Sequence, residues 1–367
     1  MGRRPSSYDA KHLSTVEVRA KLRLMAKLPL ETLDSSDATF GPYDGPVADP
    51  WFLPDTGADD PTLSPLPRAD QRKLIDPALW AAAQAALSGE LAHMALLYGA
   101  LEERLRAGSP GLWHRLALLE VADLSWAVGD RISAERLGLW EAQRLSGVQD
   151  DGQALARASW AMRRLVGGGV DPQQGAGLAA FLGRQGVIDD IQDLGLLAAD
   201  IAHLHPVTQA AALAQSWQML GQGGPARAIE AAVLAGRIAA GMGRGGAGFV
   251  PQAMAGGMTA QAGSPKDRLS AWLTGASRAT LAALLHLERV SAWQAKAAQA
   301  LADLQGRTPA LLLQVLSEWP MVTCPMAEGI TGANKATVLR NLAVTEARGL
   351  VREVTGQSRY RVWTAKI

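Results

Sequence analysis

TPALLLQVLSEWPMVTCPMAEGITGANKATVLRNLAVTEARGLVREVTGQSRYRVW, residues 308–363, holds three helical periods followed by two alternating runs. Leu311, Leu312, Val315 and Leu316 make the apolar stripe of a first helix, which Pro320 stops. MVT at 321–323 reads as a short β-like linker. A second helix, roughly 324–329, leads into Gly332, a residue suited to the tight turn between two steeply crossing helices. ANKATVLRNLAVTEARG reads as a third helix closed by Gly349, with Val338, Leu339 and Leu342 turned inward. LVREV and RYRVW then alternate about TGQS, which predicts a hairpin bent at Gly356, with Arg359 and Arg361 on one face and Tyr360 and Val362 on the other. Three helices and a hairpin in this order predict a winged helix-turn-helix over 307–367.

The polar remainder of the third helix points to duplex DNA. Asn334, Lys335, Thr337, Arg340 and Asn341 fall in its first two turns, the part of a recognition helix that reaches base edges in the major groove. Asparagine can pair with N6 and N7 of adenine, and arginine with O6 and N7 of guanine. Asn334 and Asn341 are the only asparagines in the chain and stand seven apart, two turns and therefore one side of a helix. The expectation is that Asn334, Thr337, Arg340 and Asn341 read bases while Lys335, Arg359 and Arg361 hold phosphates or the minor groove. From 321 to 367 there are seven Lys/Arg and three Glu, a local excess of basic charge in a protein whose 36 basic and 35 acidic residues otherwise balance. Small winged helices also dock proteins, so a protein-binding wing stands as the alternative.

Upstream, residues 78–306 are rich in Ala, Leu, Gln, Arg and Glu, strong helix formers. Segments 78–106, 111–128, 131–146, 151–166, 188–203, 207–220 and 225–241 carry apolar residues at helical spacing, and a long helical region over about 266–306 ends the series. The fold class expected is mainly α: a multi-helix bundle, a carboxy-terminal winged helix-turn-helix and an irregular Pro-rich amino-terminal arm. The arm occupies 1–77, where ten of the nineteen prolines lie. Residues 1–28 carry seven bases against two acids and suggest a short basic helix, whereas 31–76 carry ten acids against three bases. Such an acidic arm is poised to compete with DNA for the basic wing.

With 48% hydrophobic and 19% charged residues, the 367-residue chain has the balance of a folded globular protein. One cysteine, Cys324, rules out an internal disulfide framework and fits a reducing cytoplasm. The uncharged stretches 201–226 and 245–265 are interrupted by Gly, Pro, Gln and Ser, and neither reads as a membrane span. The start, MGRRPSSYDAKHLSTVEV, lacks the apolar run of a secretory signal.

The stretch PMAEGITGANKATVLRNLAVTEARGLVREVTGQSRYRVWTA resembles the carboxy-terminal helix-turn-helix of an alphaproteobacterial, often plasmid-borne family in which a helical domain of unknown function precedes that module. VREVTGQSRYRVW is its most specific piece; HRLALLEVADLSWAVGDRISAERLGLWEA (114–142) and PVTQAAALAQSWQMLGQGGPARAIEAAVLAG (206–236) resemble the helical domain more loosely. The resemblance implies a DNA-binding regulator. The same tail is similar to the winged helix ending many Fic-type AMP-transferases. Their chemistry needs a loop of the form HPFxxGNGR, but the sole His-Pro here, His205-Pro206, continues Val207-Thr208-Gln209, and no asparagine precedes Asn334. At most, a Fic-derived scaffold without transferase activity is implied.

Other constellations read plainly. Gly241, Gly243 and Gly246 satisfy GxGxxG, but a helix precedes them and none clearly follows, so a flexible loop is favoured over a phosphate cradle. His203 and His205 diverge on a helix and do not make a zinc pair. Asp189, Asp190 and Asp193 open a helix, where the dipole favours acids. Cys324 begins a helix, a place where thiols can be acidified into redox switches, although an incidental thiol is the plainer reading. The eleven tryptophans read as bundle core. Taken together, the sequence predicts a cytoplasmic, dimeric transcriptional regulator that is not an enzyme, binds double-stranded DNA through 307–367, needs no cofactor or metal, and dimerises or receives a protein partner through its helical domain. A helical adaptor with a protein-binding wing is the alternative.

Overall fold

A computed structural model describes residues 76–145, 150–167, 175–183, 189–219, 224–244, 248–258 and 262–367. The basic helix and acidic stretch expected in the amino-terminal arm lie outside these residues, except for Asp76 and Pro77. Those two begin a helix: Asp76 caps it by accepting from the Ala78 amide at 2.9 Å, and Pro77 takes the first position, where no amide is needed.

The protein is mainly helical, and the described residues form part of one compact unit, Leu66–Ile367. Among the described residues ten α-helices precede the tail: α1 (Pro77–Ala86), α2 (Ser88–Arg106), α3 (Pro110–Ala127), α4 (Ala134–Glu141), α5 (Gly152–Val166), α6 (Gly175–Leu182), α7 (Asp189–Asp200), α8 (Pro206–Met219), α9 (Pro225–Ala239) and α10 (Pro265–Ala300). Their starts follow local chemistry. Ser109, Ser133 and Ser264 accept amides as caps, and Ser264 with Asp267 completes a capping box. The segment expected as one helix over 78–106 breaks at Leu87 (φ −115°, ψ 27°) into α1 and α2, and α6 was not expected.

α8 and α9 form the inner layer. Every residue from Val207 to Trp217 is buried, so protein surrounds this part of the uncharged stretch on all sides. Among the described residues no helix is long and apolar enough to cross a membrane. The glycine-rich interval does not behave as a loop throughout. Phe249 and Val250 are fully buried, and the Gln252, Ala253 and Met254 amides donate to the buried Glu120 carboxylate of α3 at 2.7, 2.9 and 3.1 Å. A buried acceptor 132 residues away orders a segment whose composition suggests freedom. At Gly243 of the GxGxxG pattern the Glu102 carboxylate occupies the approach, and it accepts from the Arg244 amide at 2.9 Å. An acid therefore stands there, which is hostile to phosphate.

α10 is 36 residues long and serves two cores. Leu269, Trp272, Leu273 and Leu287 belong to the larger one, with Trp80, Met94, Leu116, Leu155 and Trp217. Trp293 and Ala297 belong to a second, built with Leu312, Leu316, Val338, Leu342, Val351 and Trp363 from the tail. The tail comprises α11 (Thr308–Glu318), β1 (Val322–Thr323), α12 (Cys324–Thr331), α13 (Lys335–Ala347), β2 (Val351–Glu353) and β3 (Val362–Ala365). The strands form an antiparallel sheet in the order β1-β3-β2, with Val322 opposite Trp363 and Val351 opposite Ala365.

Candidate nucleic-acid interface

α12 and α13 meet at a turn made possible by Gly332, whose φ of 66° suits a residue without Cβ. Asn334 ends that turn as the N-cap of α13, its side chain accepting from the Thr337 amide at 2.9 Å. Val338 and Leu342 are fully buried, which fixes the rotation of α13 and leaves Ala336, Arg340, Ala343 and Ala347 exposed along one side, with Lys335 exposed at its start. α13 packs on α11, α12 and β2.

The candidate residues are therefore brought to one end of the tail in unequal states. Asn334 is exposed, but as the cap it precedes the helix and its oxygen is engaged, so the two-turn spacing to Asn341 does not place it on the helical face. Asn341 is half-buried, and its Nδ2 donates back to the Thr337 carbonyl at 2.8 Å. Thr337 is half-buried, whereas Lys335 and Arg340 are exposed. The hairpin also departs from expectation. Tyr360 adopts φ 59°, which breaks the alternation, so β3 starts only at Val362 and Arg359 and Arg361 lie in the connecting loop. Arg359 is exposed; Arg361 is turned back onto Glu346 of α13 at 3.2 Å and over the Trp363 ring at 4.9 Å.

Of the seven basic residues after 321, three are paired. Arg348 grips Asp303 through two nitrogens at 2.5 and 2.8 Å, Arg352 bonds Glu135 of α4, and Arg361 bonds Glu346. Among the described residues Lys335, Arg340, Arg359 and Lys366 make no ion pair. The unpaired charge thus lies mainly on α13 and the hairpin loop.

The tail is held to the helical domain by residues that no sequence pattern singles out. Arg115 of α3, buried, donates to the Leu316 and Trp319 carbonyls at 2.9 and 2.6 Å and so satisfies the open end of α11. The Trp319 indole lies 2.8 Å from where a Cβ on Gly111 would stand, and its ring meets that of His114 at a tilt, with centroids 4.9 Å apart. The Arg144 guanidinium covers the Tyr360 ring at 4.9 Å. These partners are 200 or more residues apart, and no local pattern marks them.

Cys324 is not an acidified thiol. It is buried and its Sγ donates to Glu328 at 3.1 Å; burial first, then that carboxylate, pushes it up to about 11. His205 caps α8, accepting from the Val207 amide at 3.2 Å, and His203 is exposed. No group of three or more His, Cys, Asp or Glu side chains suited to a metal occurs among the described residues. Trp80, Trp217, Trp272, Trp293 and Trp363 are core, whereas Trp126 is 57% exposed. The chain matches no known protein family, and no characterised protein is similar to it in sequence.

Proposed function

We propose that residues 307–367 are a winged helix-turn-helix that binds double-stranded DNA, and that the protein is a cytoplasmic, non-enzymatic transcriptional regulator working as a homodimer. The observation that carries this reading is the exposed side of α13: Lys335 and Arg340 stand there without a carboxylate, flanked by Ala336, Ala343 and Ala347, while the neighbouring Arg348, Arg352 and Arg361 are each neutralised within the protein. Alanines beside an arginine let the helix backbone come close to a groove floor, and the arginine supplies a bidentate donor for guanine. Lys335, at the amino-terminal end of the helix, is placed for the phosphate backbone, and Arg359 is the loop cation left for the flanking strand. Asn341 keeps its oxygen for a base edge, Thr337 supports it, Asn334 sets the start of the helix, and Arg361 orients the hairpin.

Fluorescence anisotropy against duplexes recovered by genome-wide capture tests it. Arg340→Ala and Asn341→Ala are expected to lose discrimination between sequences by roughly 10- to 100-fold. Arg359→Ala should weaken all duplexes alike and reduce the salt slope by about one. Equal losses on every duplex for all three overturn the roles given to these residues. Absence of salt-sensitive binding to any duplex overturns the function and favours a wing that binds protein.

A further inference from the structure

α10 turns one side to both cores, and among the described residues no element packs on the opposite side around Leu281 and Leu285. Leu281 and Leu285, one turn apart on that side, are 50% and 48% exposed, in contrast to the buried Ala283 and Leu287 beside them. Arg278 and Glu288 are exposed on the same side, and Thr274 and Ala292 extend it. The order is symmetrical about Ala283: the leucines stand two residues either side, the arginine five before, the glutamate five after, and the two small residues nine either side.

We propose that this face is the dimer interface, α10 pairing antiparallel with α10 of a second copy across a two-fold axis midway between Leu281 and Leu285. In that arrangement Leu281 packs on the partner's Leu285, and Arg278 meets the partner's Glu288 on each flank. Four leucines are thus enclosed between two charge pairs, the self-complementary layout a two-fold interface requires. A parallel pairing sets arginine against arginine and glutamate against glutamate, so the charges select the antiparallel form. Thr274 and Ala292 at the ends allow the axes to approach to about 8–10 Å. Glu288 makes no ion pair among the described residues. Arg278 is steadied by one bond, from its Nη1 to the Gly256 carbonyl at 3.2 Å, which leaves the rest of its guanidinium outward. A partner of any other kind gains nothing from this symmetry.

The inference names the pairing surface that the proposed regulator needs, but it is tested on protein without DNA. Sedimentation equilibrium of the full chain is expected to give twice the 38.7 kDa mass. Leu281→Glu with Leu285→Glu should weaken self-association at least on the order of 100-fold. Glu288→Arg alone should weaken it roughly ten-fold, and adding Arg278→Glu should restore it; that rescue distinguishes the interface from a folding defect, which circular dichroism also monitors. A monomer at all concentrations, a dimer indifferent to the paired leucine changes, or charge changes without rescue each overturn the proposal. A protein that stays monomeric yet binds duplexes sinks the interface and leaves the DNA-binding reading intact.

Discussion

Arg115 places a cation where the interior of a helical protein ordinarily holds an aliphatic side chain, and the last turn of α11 explains it. The carbonyls of Leu316 and Trp319 have no partner in their own helix, and the guanidinium's Nη2 donates to both at once. Burial lowers its pKa only to about 10, so it stays charged at neutral pH. Arg115→Met is expected to destabilise the protein by about 2–3 kcal/mol, since it strands two buried acceptors. Arg115→Lys should recover only part of this, because burying a compact, strongly hydrated ammonium costs more than burying a guanidinium. Urea titration followed by tryptophan fluorescence measures the difference; equal stability for Arg115→Met and the parent contradicts the role.

Among the elements, α13 shows how one residue can be misread for its neighbours. Asn334 and Asn341 share a side of an ideal helix, but the helix begins at Lys335, and Asn334 serves as its stop on the amino-terminal side. Capping and recognition separate by substitution. Asn334→Ala is expected to cost about 1 kcal/mol of stability, whereas Asn334→Asp keeps the cap and the stability. The same Asn334→Asp places a carboxylate at the proposed DNA surface and should weaken duplex binding several-fold. Thermal unfolding and anisotropy on the two variants check both halves; weakened binding in neither disconnects the start of α13 from DNA. The helices α11, α12 and α13 were legible because stripe, cap and stopping residue all lie within a dozen positions. The α1–α2 break at Leu87 was not, since its one local mark, the Ser88-Gly89 pair, is a weak turn signal that a helix tolerates. The start of β3 depends on the backbone of Tyr360, and the ordering of 248–258 on Glu120, far away in sequence; neither is written locally.

At the scale of the whole molecule, α10 threads both cores, and the joint between them gathers positive charge. His286 of α10 sits at that joint, half-buried, with its Nε2 shut from solvent and without a partner. Burial, then the Arg115 guanidinium and that of Arg289, push it down to about 4. Its usual value is 6.5, so on acidification the unfolded chain takes up the proton first. Its contribution to stability is complete above about pH 6.5 and drains away as the pH falls toward 4. His205, also lowered by burial, adds a smaller slope of the same sign. Carboxylates held low by arginine, such as Asp151 and Asp303, lose their contribution only below the ordinary aspartate range. Between pH 7 and 5 the Glu120 carboxyl, pushed up to about 7 by burial, adds a slope of the opposite sign, so the His286 contribution is read as the difference between the parent protein and His286→Phe. His286→Phe, which carries no titrating group, is expected to gain unfolding midpoint over the parent protein as the pH falls from 7 to 5, while the pH 7 midpoint changes little. A slope identical to that of the parent protein places the acid sensitivity elsewhere and removes His286 from the joint's electrostatics.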